Sequence, residues 1–206
     1  GHFGALRHLA LDSPDLVLHV GDAVYGRPGN QPVARDQPIH SPQDLADYRL
    51  LHEFYRRDPN CQLLHAAAPV AAVWDDHEVA QDDAGSVPDP RREPAYRAWR
   101  EHQASDFAST ETGIEIHRSV GLGDVATVWL LDGRQFRSDQ ACGRLPDLPA
   151  FERCDAVDDP ARTMLGEGQE AWLADGIRDD GRWHLVAHQT VVSDMSVSYT
   201  HLRAHE

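Results

Sequence analysis

Apolar residues recur along this chain with two different periods. Phe3 to Leu11 puts Leu6, Leu9 and Ala10 on one side of a helix, and Leu16 to Val20 follows as a short β-rich run. Residues 26–43 hold four prolines and few large apolar groups, so they read as a surface loop. Ser41-Pro42-Gln43-Asp44 then reads as a helix start, with a cap, a proline at the first helical position and early acidic charge. That helix runs to about Arg57, with Tyr48, Leu51, His52 and Tyr55 on one face. A shorter helix leads to a buried strand, Pro69 to Trp74. After a linker at 88–94, a helix is expected over 93–108. Strands at 114–118 and 126–131 pair around the Gly121-Leu122-Gly123-Asp124 turn. A helix covers 166–177 and a last strand 183–192. Strands alternating with helices predict an α/β fold.

Two of these strands end in residues fit for chemistry. Behind Trp74 come Asp75, Asp76, His77, Glu78, Asp82 and Asp83, all within nine residues. Hard cations take carboxylates, and imidazole suits iron, zinc or manganese, so the cluster reads as a metal site. The alternative is a solvated acidic loop. Behind Val20, Gly21 permits a tight turn, and Asp22 sits where open α/β sheets place their ligands. Tyr25 faces the same pocket as a hard phenolate ligand or a hydrogen-bond donor. Otherwise Asp22 is a turn or cap residue and Tyr25 a packed ring with a satisfied hydroxyl. Arg134 and Arg137 follow an apolar strand; they form either a phosphate clamp or pairs with Asp132 or Asp139. His19, His188 and Gln189 read as core or supporting groups.

Taken together, the motifs resemble one family. GDAVY at 21–25, WDDHEVAQDDAG at 74–85, LLDGRQFRSDQACG at 130–143, RTMLGEGQEAWL at 162–173 and WHLVAHQTVVSDM at 183–195 are similar to the PhoD-type (alkaline phosphatase D) metallophosphoesterases. The resemblance implies a metallophosphoesterase-like β-sandwich flanked by helices. It implies hydrolysis of phosphate mono- or diesters with Fe3+ and Ca2+, and export from the cytoplasm. Carried over by motif, Asp22 matches the bridging aspartate and Tyr25 the iron-binding tyrosine. Asp75, Asp76 and His77 match ligands and their supporting groups. Asp82 offers an oxygen where the family usually has Asn. Arg134 matches an arginine that meets phosphate, and His77 is the group expected to orient or move a proton.

The family also carries a Cys ligand ahead of the position of Gly1 and a late Gly-Asp-x-His segment. The chain is therefore expected to be a central part of such a domain, truncated at both ends. SVSYTHLRAHE, residues 196–206, departs from the family pattern and is expected to be a non-native tail, leaving 1–195 as a partial domain. His201 and His205 are then given no role.

Composition narrows the partners. A net charge of −15 argues against nucleic acid and anionic membranes, because both need basic surface. It leaves room for a phosphate ester, since bound cations invert the local field. No run of ~20 apolar residues is present to span a bilayer. Cys142 and Cys154 read as a disulfide in an exported protein or as two thiols in a cytosolic one, and Cys61 as a buried thiol. Two rivals to the phosphatase remain: an inactive fragment, and a calcium-binding module without turnover. WDDHEVAQDDAG lacks the alternating Asp/Asn and central Gly usual in calcium loops. Nothing in the pattern sets an oligomeric state.

Overall fold

The computed structural model describes residues 3–26, 37–39, 41–104, 107–110, 113–142, 154–178 and 181–190. They fall into two compact units, one from Gly1–Asp82 with Asp89–Ile116, the other from Asp83–Pro88 with the remainder.

In the first unit, α1 (Gly4–Leu11) leads to β1 (Val17–Val20), and α2 (Leu45–Arg56) and α3 (Pro59–Ala67) lead to β2 (Val70–Val73). β1 and β2 pair in parallel from Val17↔Val70 to Val20↔Val73. Parallel neighbours need a long crossover, and α2 and α3 lie within it. α4 (Arg92–Glu101) and an antiparallel pair, β3 (Ala108–Thr110) and β4 (Gly113–Glu115), follow. α2 starts later than the Ser-Pro signal suggests. Its cap is Asp44, whose Oδ1 accepts the N–H of Ala46 at 2.9 Å and of Asp47 at 3.0 Å. Asp58 caps α3 in the same way, with Pro59 at its first position. α4 stops at Glu101 and not at 108. His102 tightens the last turn through its N–H to the Trp99 carbonyl, and its ring Nδ1 lies 2.7 Å from the Ala98 carbonyl.

The core of this unit is aromatic. Trp74 is fully buried, stacked on Tyr96 at 4.1 Å between centroids and edge-on to Trp99 at 5.0 Å. Tyr96 and Trp99 stand three apart on α4 and face inward with Ala95 and Ala98. Tyr48, Leu51 and His52 form the buried stripe of α2, as the periodicity predicts.

The second unit holds β5 (Arg118–Leu122), β6 (Ala126–Leu130), α5 (Glu167–Gly176) and β7 (Trp183–Ala187). β6 is central and wholly buried, antiparallel to β5 and parallel to β7. The strand expected at 114–118 is thus divided: Ile114 belongs to β4, and the partner of β6 begins at Arg118. The last strand ends at Ala187, and Val191 and Val192 lie outside the described residues, as does the 196–206 segment. Cys142 and Cys154 form a disulfide, with Cα atoms 5.7 Å apart.

Buried His52 makes stability depend on pH. Burial, then the neighbouring His102 and Arg56, pushes its pKa down to about 3. The unfolded chain, with an ordinary value of about 6.5, therefore takes up the proton first. The stabilising contribution of the neutral ring is complete above that value and is lost as pH falls toward 3. Between pH 7 and 5, urea unfolding is expected to show the parent losing about 1–2 kcal/mol more than His52→Gln. Equal losses would show that His52 does not titrate this way.

Candidate metal centre

Parallel pairing delivers the C-terminal ends of β1 and β2 to one place. The chain leaves β1 through Gly21, whose φ is +100°, and a Cβ there would lie 2.4 Å from the Asp75 nitrogen. Only glycine fits so close to another backbone. Asp22 follows with φ +57°, a left-handed conformation that a non-glycine residue adopts at local cost.

Glu78 braces this junction. Its carboxyl is fully buried. One oxygen accepts the N–H of Asp22 at 3.1 Å and of Asp75 at 2.9 Å, and the other accepts the N–H of Ala23 at 2.7 Å. Burial outweighs the pull of these amides and holds the group up at about 8. A signal for part of this was present in the sequence: a glutamate three residues after Asp75, reaching back to its N–H, is the spacing of a capping box. Nothing local pointed to the bonds with Asp22 and Ala23.

On this frame Asp22, Asp76 and His77 converge, each offering a ligand atom within 4.8 Å of the others. Asp76 is buried, and its Oδ2 accepts the Asp82 N–H. Tyr25 donates its hydroxyl to Asp22 Oδ2 at 2.8 Å and lays its ring against His77 at 4.3 Å. Burial and that bond hold its phenol well above the usual range. The other oxygen of Asp22, Oδ1, is buried with no hydrogen-bond partner. A buried acceptor left without a donor is costly, and a cation would satisfy it. Two carboxylates and an imidazole are a donor set that hard and borderline cations accept. The residues present therefore fit a metal ion.

Other residues marked in the sequence stand differently. The Asp75 side chain is outside the converging set, and that residue meets Glu78 through its backbone. Asp82 is exposed, with φ +60°, and its side chain accepts from Gln81 at 3.2 Å. His77 also lines a polar pocket of about 190 Å3 with Ser41, Gln81 and Arg91. Arg134 belongs to the second unit. It is buried there, with Nη1 3.3 Å from the Asp83 carbonyl. Fully buried Asp132 accepts the N–H of Arg134 at 2.9 Å and of Gln135 at 3.0 Å. Gln169 in turn clamps the Asp132 backbone at 2.8 and 2.9 Å. Arg137 is buried, with Nε 3.4 Å from the Ser138 carbonyl.

Exchanging Glu78 for Gln tests the brace. An amide NH2 must then face at least one backbone N–H, so Glu78→Gln is expected to cost about 1–3 kcal/mol in chemical unfolding. It is also expected to weaken metal binding measured by titration. Unchanged stability and affinity would mean that the loops hold their positions without it.

The chain is similar to known proteins along almost its whole length. The PhoD-like phosphatase family model matches residues 1–205. The chain is 33% identical to alkaline phosphatase D of Bacillus subtilis (strain 168), over 92% of this chain and 35% of that protein. Its fold matches a solved structure of PhoD with a TM-score of 0.79 and 33% identity, over 90% of this chain and 38% of that one. The chain thus spans little more than a third of the length of these relatives. Strand ends that carry the GDAVY and WDDHE segments, an acidic and imidazole cluster between them, and a match along almost every residue place the chain in the PhoD-like phosphatase family.

Proposed function

We propose that the protein containing these residues hydrolyses phosphate mono- or diesters with bound iron and calcium, as an alkaline phosphatase of the D type. The observation that carries this reading is the convergence of Asp22, Asp76 and His77 around a buried carboxylate oxygen without a partner, in a chain of this family. Asp22, Asp76 and His77 would hold metal. Tyr25 joins them only by giving up the proton it shares with Asp22. Asp75 and Asp82 supply further oxygens from beside the set. When bound, such cations neutralise phosphoryl oxygens and acidify a water.

The chain's own groups do the remaining work. His77 holds or passes a proton at a ring nitrogen. Arg134 is assigned to the phosphate through its place in the DGRQFR motif, where a guanidinium offsets negative charge. The small sheets are assigned to the metallophosphoesterase sandwich through the likeness to PhoD. The disulfide supports export, since such bonds persist in oxidising compartments. Among the described residues, no helix is long and apolar enough to cross a membrane.

The test is hydrolysis of p-nitrophenyl phosphate and bis-p-nitrophenyl phosphate with iron and calcium supplied. Residues 1–206 are assayed beside a polypeptide extended at both ends to the length of the relatives. Activity is expected in the extended form. There Asp22→Asn is expected to lower it by at least roughly 100-fold and to reduce bound metal. Full activity with metal bound in Asp22→Asn removes Asp22 from the ligands. Metal binding without hydrolysis in either polypeptide favours a calcium-binding module instead.

A further inference from the structure

A cavity of about 420 Å3 lies in the first unit, between helices α2–α4 and the face of the β1–β2 pair that carries Val17, His19, Val70 and Ala72. Much of its wall is apolar, but one side is basic. Arg56 is half-buried there. Its Nη1 lies 2.8 Å from His65 Nε2, and its Nη2 donates to the His102 carbonyl at 2.8 Å and to Gln103 Oε1 at 3.4 Å. All three partners are neutral. Among the described residues Arg56 has no carboxylate in ion-pair range, although the chain holds 34 acidic residues against 19 basic ones. A desolvated cation without a counter-ion is unfavourable.

His52, one turn before Arg56 on α2, lines the same cavity. His52 is 2% exposed, stacks on His102 at 5.0 Å and leaves its Nε2 buried with no hydrogen-bond partner. His19 and His65 also line the cavity, and burial favours their neutral forms. Neutral imidazoles donate one N–H each and leave Arg56 as the fixed charge. An oxyanion would balance the guanidinium, and the apolar wall would take a hydrocarbon body.

We infer that this cavity binds a small organic anion, its oxyanion on Arg56 and an aromatic or branched apolar body against Val17, Leu64 and Ala72. Carboxylate, phosphonate and sulfonate head groups share the required chemistry. The inference does not depend on phosphatase activity. Asp22 and Tyr25 line the cavity too, so the test must separate it from the acidic cluster.

The probe is phenylphosphonate, whose carbon–phosphorus bond a phosphatase does not cleave, titrated into metal-free protein by calorimetry. One-to-one binding is expected, at least about tenfold tighter than inorganic phosphate because of the ring. Arg56→Gln is expected to weaken it at least about tenfold, and Asp76→Asn less than about twofold. Cys61 also lines the cavity, so bound phenylphosphonate is expected to slow labelling of its thiol in the parent. That readout stands even if Arg56→Gln does not fold. Failure of the parent to bind, unchanged Cys61 labelling under saturating probe, or equal loss in Asp76→Asn would each overturn the inference.

Discussion

Glu78 is the residue on which the candidate centre depends. β1 and β2 pair over four positions only, which aligns two strand ends without fixing the loops that follow. The loops carry the chemistry, with Asp22 on one and Asp76 and His77 on the other. A buried carboxyl that accepts N–H groups from both loops sets their separation and leaves no freedom to drift. Gly21 is required by the same closeness, because any side chain there would displace the Asp75 backbone. The left-handed Asp22 follows from both. Its backbone turns so that its N–H reaches Glu78 while its carboxylate meets Asp76 and His77.

Much of this was legible in the sequence wherever an element carries a one-sided apolar pattern. α2, α5, β1 and β2 stand close to their expected places for that reason. β5 was misplaced because an edge strand with a half-exposed face reads as Arg-Ser-Val-Gly-Leu, with little apolar signal. β7 begins at Trp183 as expected, because its apolar residues mark it even though Trp183, Leu185 and Val186 are exposed. Motif spacing was enough to mark Asp22 and the 75–78 cluster. It was not enough to separate Asp76 from Asp75, since neighbours in a turn point to different sides and only the fold decides which turns inward. Contacts made over long separations left no local trace, such as Gln169 gripping the backbone of Asp132.

Charge is unevenly distributed in the first unit, and β1 spans the division. Its residues Val17 and His19 face the cavity beside Arg56, while Asp22 lies just past its end among carboxylates. Had the imidazoles of His19, His52 and His65 been charged, they would have repelled Arg56 across a poorly solvated space. Burial keeps them neutral instead, so a single guanidinium carries the positive charge.

Neutral imidazoles cannot balance that guanidinium, and the nearby carboxylates are already engaged. Glu78 holds three amides, one oxygen of Asp22 takes the Tyr25 hydroxyl, and Asp76 takes the Asp82 N–H. Asp22 Oδ1 and His52 Nε2 are buried without hydrogen-bond partners, and the Arg56 guanidinium meets only neutral groups. Asp22 and Arg56 do not meet each other, because Asp22 is held by Glu78 and Tyr25 and Arg56 by His65, His102 and Gln103. Held apart in this way, the two groups are placed for ligands of opposite charge, the cation of the proposed centre and the anion inferred for the cavity.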